Sequence, residues 1–188
     1  MLDRQSTISD YPSSIRPAGA ADRRWISSFL RERWGADFIV VHGEVIQAAD
    51  LPALTFESRQ GLATYRLLGK DAELVTLDAV SAGLGIGTAL VETLAATLIG
   101  QGCERLWLTT TNDKLAALRF YQRRGFRLIQ VRVGAVDEAR QLKPMIPLVG
   151  EHGIAMQDEI DLCRPLATVE ARNCLPPWSR KPGGDSRG

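Results

Sequence analysis

Apolar residues change period several times along the chain, and each change marks an element. In "ADRRWISSFLRERWG", Trp25, Phe29 and Leu30 recur at helical spacing among arginines and Gly35 ends the run, which predicts a first helix. "DFIVVHGEVI" predicts a strand pair around a His-Gly turn, and "PALTFESRQGLATYRLLG" a hairpin that turns at Ser58 to Gly61. "AELVTLDAV" is a further strand. It runs into Gly83, Gly85 and Gly87 and then into Ile86, Leu90, Leu94 and Leu98, four apart on one helix face. "ERLWLTTTN" predicts the next strand, and "DKLAALRFYQRR" a helix closed by Gly125, where a left-handed cap costs least. "FRLIQVRVGAV" and "AMQDEIDLCRP" predict two late strands, joined by a proline-containing loop that includes "LKPMIPLVGEHG". Helix, strands, then strand-helix-strand-helix-strand-strand is the order of an α+β, mixed α/β domain with a local parallel crossover in its middle.

The pattern fades at both ends. "MLDRQSTISDYPSS" is polar without periodicity and "NCLPPWSRKPGGDSRG" mixes proline, glycine and charge, so residues 1–14 and 167–188 read as flexible tails around one domain at 15–166. A chain of 188 residues suits a single core. Its formal net charge of +1 gives no footprint for a nucleic acid, and no apolar run approaches the roughly 20 residues of a membrane span. Cys103, Cys163 and Cys174 form no CxxC pair, and no apolar leader is seen at the start, which together predict a reduced, cytoplasmic protein. With two histidines and no cysteine at ligand spacing, no metal is expected.

The stepped glycines carry the chemistry. A strand that ends in glycines and passes into a helix gathers unobstructed backbone N–H groups at the helix's positive end, which suits a phosphate. A triphosphate-binding loop would need Gly-Lys-Ser/Thr, and here Thr88 follows Gly87 with no lysine. A dinucleotide fingerprint would need a third glycine or alanine where Thr88 or Leu90 stands.

"GLGIGTAL", followed by a strand and by "TNDKLAALRFYQRRGF", resembles the acetyl-CoA-binding core of the GNAT superfamily of N-acetyltransferases. Gly85 and Gly87 fill the glycine positions of that family's Arg/Gln-x-x-Gly-x-Gly/Ala signature; Asn112 and Tyr121 fill its later positions, ahead of Gly125-Phe126. Ala82 stands where the signature has Arg or Gln, a side chain that helps hold the pyrophosphate, and this departure puts cofactor affinity in question. The resemblance is firm from Glu73 to Phe126 and looser over the rest of 15–166. It implies a central twisted, mostly antiparallel sheet with a parallel strand-helix-strand core, flanked by helices.

The resemblance also implies roles. The pyrophosphate would lie on the amides of Gly83, Leu84, Gly85, Ile86, Gly87 and Thr88, with the Thr88 hydroxyl as an extra donor. The backbone of Leu77, Asp78, Ala79 and Val80 would bind the pantetheine amides and the acetyl oxygen. Tyr121 would protonate the departing thiolate, since a phenol of pKa about 10 lies near an alkyl thiol. Asn112 would either cap the following helix or reach the cofactor. Glu73 is the preferred general base and Asp78 its rival; strand alternation sets the two, five apart, on opposite faces. His42 reads as a turn residue. His152 lies in the late loop, near Glu138, Glu151, Asp158 and Glu159, where it could touch an acceptor.

The expected function is transfer of an acetyl group from acetyl-CoA to a primary amine, on a small molecule, a protein N-terminus or a lysine, by direct attack in a ternary complex. A cysteine route is discounted, because Cys103 has no basic partner nearby in sequence. The alternative is a non-catalytic acyl-CoA-binding or sensor module on the same fold. A homodimer is compatible with Trp25 and Trp34 on the first helix but is not decided by them.

Overall fold

The computed structural model describes residues 14–81, 83–166 and 176–179. Its strands are β1 (Ile15–Pro17), β2 (Ile39–Val41), β3 (Glu44–Ile46), β4 (Ala53–Phe56), β5 (Gly61–Leu68), β6 (Asp71–Ala79), β7 (Arg105–Thr111), β8 (Arg127–Arg132) and β9 (Glu159–Pro165). The helices are α1 (Arg23–Trp34), α2 (Ile86–Gly100), α3 (Leu115–Gln122) and α4 (Ala135–Leu142). Seven strands form one sheet in the order β1-β4-β5-β6-β7-β9-β8, and only β6 and β7 run parallel. That pair brackets α2, as the parallel crossover requires.

Both faces of the sheet are covered. On one, Leu90, Leu94 and Leu98 of α2 are fully buried against Ala63, Leu74 and Leu106. α2 comes close because β5 begins with glycine: a Cβ on Gly61 would lie 2.6 Å from Ile86. On the other face, α1 buries Ile26, Phe29 and Leu30 against Leu62 and against Ile39, Val41 and Ile46 of the β2–β3 hairpin. That hairpin turns on His42 and Gly43, both with positive φ, as a two-residue turn between twisted strands requires. α1 ends at Gly35 in the left-handed conformation.

Three findings differ from the sequence reading. The stretch "AVDEARQL", expected to finish a strand and enter a loop, is α4: Gly134 turns the chain with φ 75° and Val136 and Ala139 face inward. Two turns of helix directly after a strand give too short a period to be legible. The second difference lies in β6. Thr76 pairs with Thr64 but Leu74 pairs with Tyr65, so Val75 is an extra residue, a β-bulge. Glu73 opposes Arg66 and Asp78 opposes Leu62. Arg66 and Leu62 share one face of β5, so Glu73 and Asp78 share one face as well, and alternation alone misplaces them. Third, within the segment 167–188, expected as a tail, the described residues 176–179 include Trp178, whose indole donates to Asp161 Oδ2 at 3.2 Å and stacks on His42 at 3.8 Å. Residues 1–13 and most of 167–188 lie outside the described residues.

The β6–β7 ladder starts at Asp71↔Arg105 and stops at Leu74↔Leu108, although β6 continues to Ala79 and β7 to Thr111. Beyond Leu74 the two strands part. The gap between them is the candidate site.

Candidate active site

At the open end of the gap, β6 passes into the glycine turn. Gly83 and Gly85 both have φ 82°, which only glycine adopts without strain, and a Cβ on Gly83 would enter open space. Gly87 serves packing instead: a Cβ there would meet the Phe120 ring at 3.3 Å. The first bond of α2 runs from Ala89 N to Gly85 O, at 2.9 Å. The amides of Ile86, Gly87 and Thr88 therefore face the turn without a helical acceptor. Leu77, Ala79, Gly83, Gly85, Ile86, Gly87 and Thr88 all line one groove there. Ala82 lies outside the described residues. Leu84 is solvent-exposed beside the groove, and Val80 cannot offer its amide, which donates to Gln60 O at 2.8 Å.

Arg124, two residues beyond the end of α3, enters this groove from the far wall. Its Nε and Nη2 both donate to Thr88 Oγ1, the former at 3.1 Å, and Nη1 donates to Phe120 O at 2.7 Å. The guanidinium lies 3.5 Å over the Phe120 ring. Thr88 Oγ1 thus accepts from Arg124.

Tyr121 stands where the groove meets a second cavity of about 350 Å³; with Leu77 and Ala117 it lines both. Its ring is held edge-on by Phe120 and Phe126, with centroids at 5.2 and 5.5 Å. Burial, reinforced by the Asp78 charge, pushes the phenol well above its usual pKa, so it stays protonated across the physiological range. The second cavity reaches back between the parted strands to Glu73, Asp78 and Glu159.

The three carboxylates differ in their surroundings. Glu73 is 1% exposed and both its oxygens are engaged: Arg66 Nε donates to Oε2 at 2.6 Å, and His42 Nε2 lies 3.2 Å from Oε1. His42 Nε2 is also 3.3 Å from Thr109 Oγ1, and its Nδ1 is buried with no hydrogen-bond partner among the described residues. The expected turn residue therefore turns its ring inward, beneath Trp178. Asp78 accepts a bond from Trp34 Nε1 at 2.7 Å through one oxygen, and burial raises its pKa above the ordinary aspartate value despite that bond and the nearby Arg33. Glu159 is buried against Arg132, and burial likewise raises its pKa.

Comparison with known proteins decides the family. Residues 72–126 match the acetyltransferase (GNAT) family model. The uncharacterized protein YdhI of Bacillus subtilis is 36% identical over 150 residues, covering 78% of this chain and 94% of its own length. The uncharacterized protein YxbD of the same organism is 34% identical over 157 residues, covering 81% and 99%. The chain belongs to the GNAT acetyltransferase family. Among solved structures, a GNAT family acetyltransferase from Elizabethkingia anophelis with acetyl-CoA bound superposes with a TM-score of 0.60 at 17% identity, over 80% of this chain and 96% of that one. The IAA acetyltransferase from Bacillus cereus gives 0.58 at 18% identity, over 81% and 99%. At these identities the likeness is one of fold, and the fold is the GNAT one: a mostly antiparallel sheet with a single parallel pair.

Like the Val80 amide, the Asn112 side chain is engaged elsewhere. Its Oδ1 accepts from Gln157 N and Asp158 N, both at 3.0 Å, and its Nδ2 donates to Ala155 O at 2.8 Å. It neither caps α3 nor lines the groove; it latches the chain leading into β9. Asp113, its neighbour, is fully buried and accepts from Thr111 Oγ1 and Glu151 N. His152 is exposed in its loop and lines neither cavity, and of the four acidic residues near it only Glu159 reaches the site. Cys103 is buried, with its thiol pKa pushed up by burial and by Asp71, the reverse of a reactive thiolate. Sequence reasoning missed Arg124, which looked like an ordinary cation at a helix end. No helix among the described residues is long and apolar enough to cross a membrane.

Proposed function

We propose that this chain transfers the acetyl group of acetyl-CoA to a primary amine within a ternary complex. The observation that carries the reading is the junction at Tyr121, where a groove rich in backbone N–H groups meets a carboxylate-lined cavity across one side chain. The groove fits the cofactor: it has left-handed glycines, open space where a Cβ would stand at Gly83, and a guanidinium at its wall. Acetyl-CoA supplies an activated thioester when bound. Amides of Ile86, Gly87 and Thr88 and the Arg124 guanidinium would hold its pyrophosphate, Arg124 taking the place of the side chain lost at Ala82. The backbone of β6 between Leu77 and Ala79, paired with β5 but beyond its last pair with β7, would hold the pantetheine amides and the negative charge that builds on the acetyl oxygen.

Two protons must leave the amine. The first passes from the ammonium to a carboxylate. Asp78 is favoured for this step, because its raised pKa makes it a better base and it lies near Tyr121, whereas Arg66 and His42 occupy both oxygens of Glu73. The free amine then forms the C–N bond as the C–S bond breaks. Tyr121 gives its proton to the departing sulfur and regains one from the attacking nitrogen. Glu73, the base expected from sequence, is retained as a second reading because it lines the same cavity.

Calorimetric titration with acetyl-CoA, followed by thiol release with a panel of amines, tests the proposal. Binding with amine-dependent release supports it. Binding without release with any amine favours the acyl-CoA sensor, and the absence of binding overturns both.

A further inference from the structure

The acceptor cavity does not end at Glu159. A second chamber of about 420 Å³ adjoins it, sharing Trp34, Ile39, Val40 and Glu159 among its walls. The rest of its lining is mainly apolar: Val136 and Ala139 from α4, Met145, Ile146 and Pro147 from the loop after it, and Met156. Its two lysines are already engaged. Lys143 donates to Trp34 O at 3.0 Å and to Phe38 O at 3.2 Å, and Lys114 to Glu151 at 2.8 Å. Arg33, on the border of the two chambers, lies over the Phe29 ring and beside Asp78. The apolar character continues to the surface, where Leu142, Met145, Leu148 and Val149 are all exposed. The carboxylates Glu73 and Asp78 line the reacting chamber and are absent from the second one.

This polarity describes a ligand with one cationic end and one greasy end. We infer that the acceptor is a primary amine on an apolar alkyl or aryl body, its ammonium in the Asp78 chamber and its body in the Met145–Met156 chamber. The inference rests on the acetyl-transfer reading above. A polyamine or aminoglycoside would have to strip water from a further ammonium in a chamber whose only carboxylate among the described residues, Glu159, is held by Arg132. A peptide N-terminus would leave backbone amides unpaired against methionine and isoleucine.

The test compares kcat/KM, read by thiol release with the full chain, for n-hexylamine and 2-phenylethylamine against spermidine, kanamycin and an alanine-initiated tetrapeptide. Calorimetry of the same amines in the presence of CoA gives a readout independent of turnover. The apolar amines should lead by about tenfold or more in both. Met145→Glu, at an exposed position, should reverse that order while leaving acetyl-CoA affinity unchanged. Preferential turnover of spermidine, kanamycin or the peptide overturns this inference alone, as does an amine order that Met145→Glu leaves intact. No release with any amine, despite acetyl-CoA binding, overturns the acetyl-transfer reading and this inference with it.

Discussion

Arg124→Gln tests whether a guanidinium from beyond α3 takes the place of the missing side chain at Ala82. Three internal contacts fix Arg124 before any ligand arrives: Thr88 Oγ1, Phe120 O and the face of Phe120. Little side-chain entropy is then left to lose on binding, so a phosphate should gain most of a charge-assisted hydrogen bond, about 1.5–3 kcal/mol. That converts to a roughly 10- to 150-fold rise in the acetyl-CoA dissociation constant. Glutamine also forfeits the cation–π contact, worth about 1 kcal/mol, which lowers the thermal midpoint by roughly 2–4 °C. Calorimetry well below that midpoint separates the two effects. Affinity should fall with salt less steeply in the variant than in the wild type, because one phosphate contact has gone. Arg127→Gln, on exposed β8 and outside the groove, makes the same change in net charge and should leave affinity unaltered. Equal affinities for Arg124→Gln and wild type, or equal losses in the two variants, would refute the reasoning.

Tyr121→Phe should lower kcat about a hundredfold with acetyl-CoA affinity nearly intact, and because the phenol pKa is raised, wild-type rates should show no alkaline limb from tyrosine in the physiological range; unchanged kcat would remove the acid role. Asp78→Asn should abolish an acid limb in kcat/KM whose midpoint lies above the ordinary 3.8. The same raised pKa means that the folded chain binds this proton more tightly than the unfolded one, so the group favours the fold at low pH and that contribution is lost as pH rises through the folded pKa. Relative to wild type, the thermal midpoint of Asp78→Asn should therefore improve from acid to neutral pH, and a constant difference would contradict the assignment. Gly150→Ala should lower the midpoint by roughly 3–10 °C, since its Cβ would run into the buried Asp113 carboxylate; Asp113→Ala in the same chain should restore part of the loss.

Elements punctuated by glycine were legible in the sequence because the punctuation is local. Gly35, the His42-Gly43 pair and Gly125 each fix a turn from the φ they demand, and the predicted elements on either side of them are found in place. The roles that failed to show depend on partners distant in sequence. Asn112 stands where the family pattern has its asparagine, yet its amide is bound to residues 155–158, more than 40 positions on. His42 sits in a turn by its own φ, but its ring is placed by Glu73, Thr109 and Trp178. Arg124 gains its position only because Gly87 lets Phe120, the ring it covers, approach α2.

The bulge at Val75 shows how a single residue redirects a side chain. Without it, strand alternation would keep Glu73 on the α1 face and turn Asp78 toward α2, into the core that Leu90 and Leu94 fill, where an unpaired carboxylate is costly. With it, Asp78 comes round to the α1 side, Trp34 reaches it, and it faces the cavity that Tyr121 also lines. The β6–β7 ladder has its last pair at Leu74, immediately before the extra residue. The same irregularity therefore coincides with the parting of the strands and with the turning of a carboxylate toward the gap. Deleting Val75 should restore regular pairing with β5 and abolish acetyl transfer more completely than Asp78→Asn does, because it would remove both the carboxylate and the gap. A deletion variant that stays folded and retains the activity of Asp78→Asn would separate the bulge from the site.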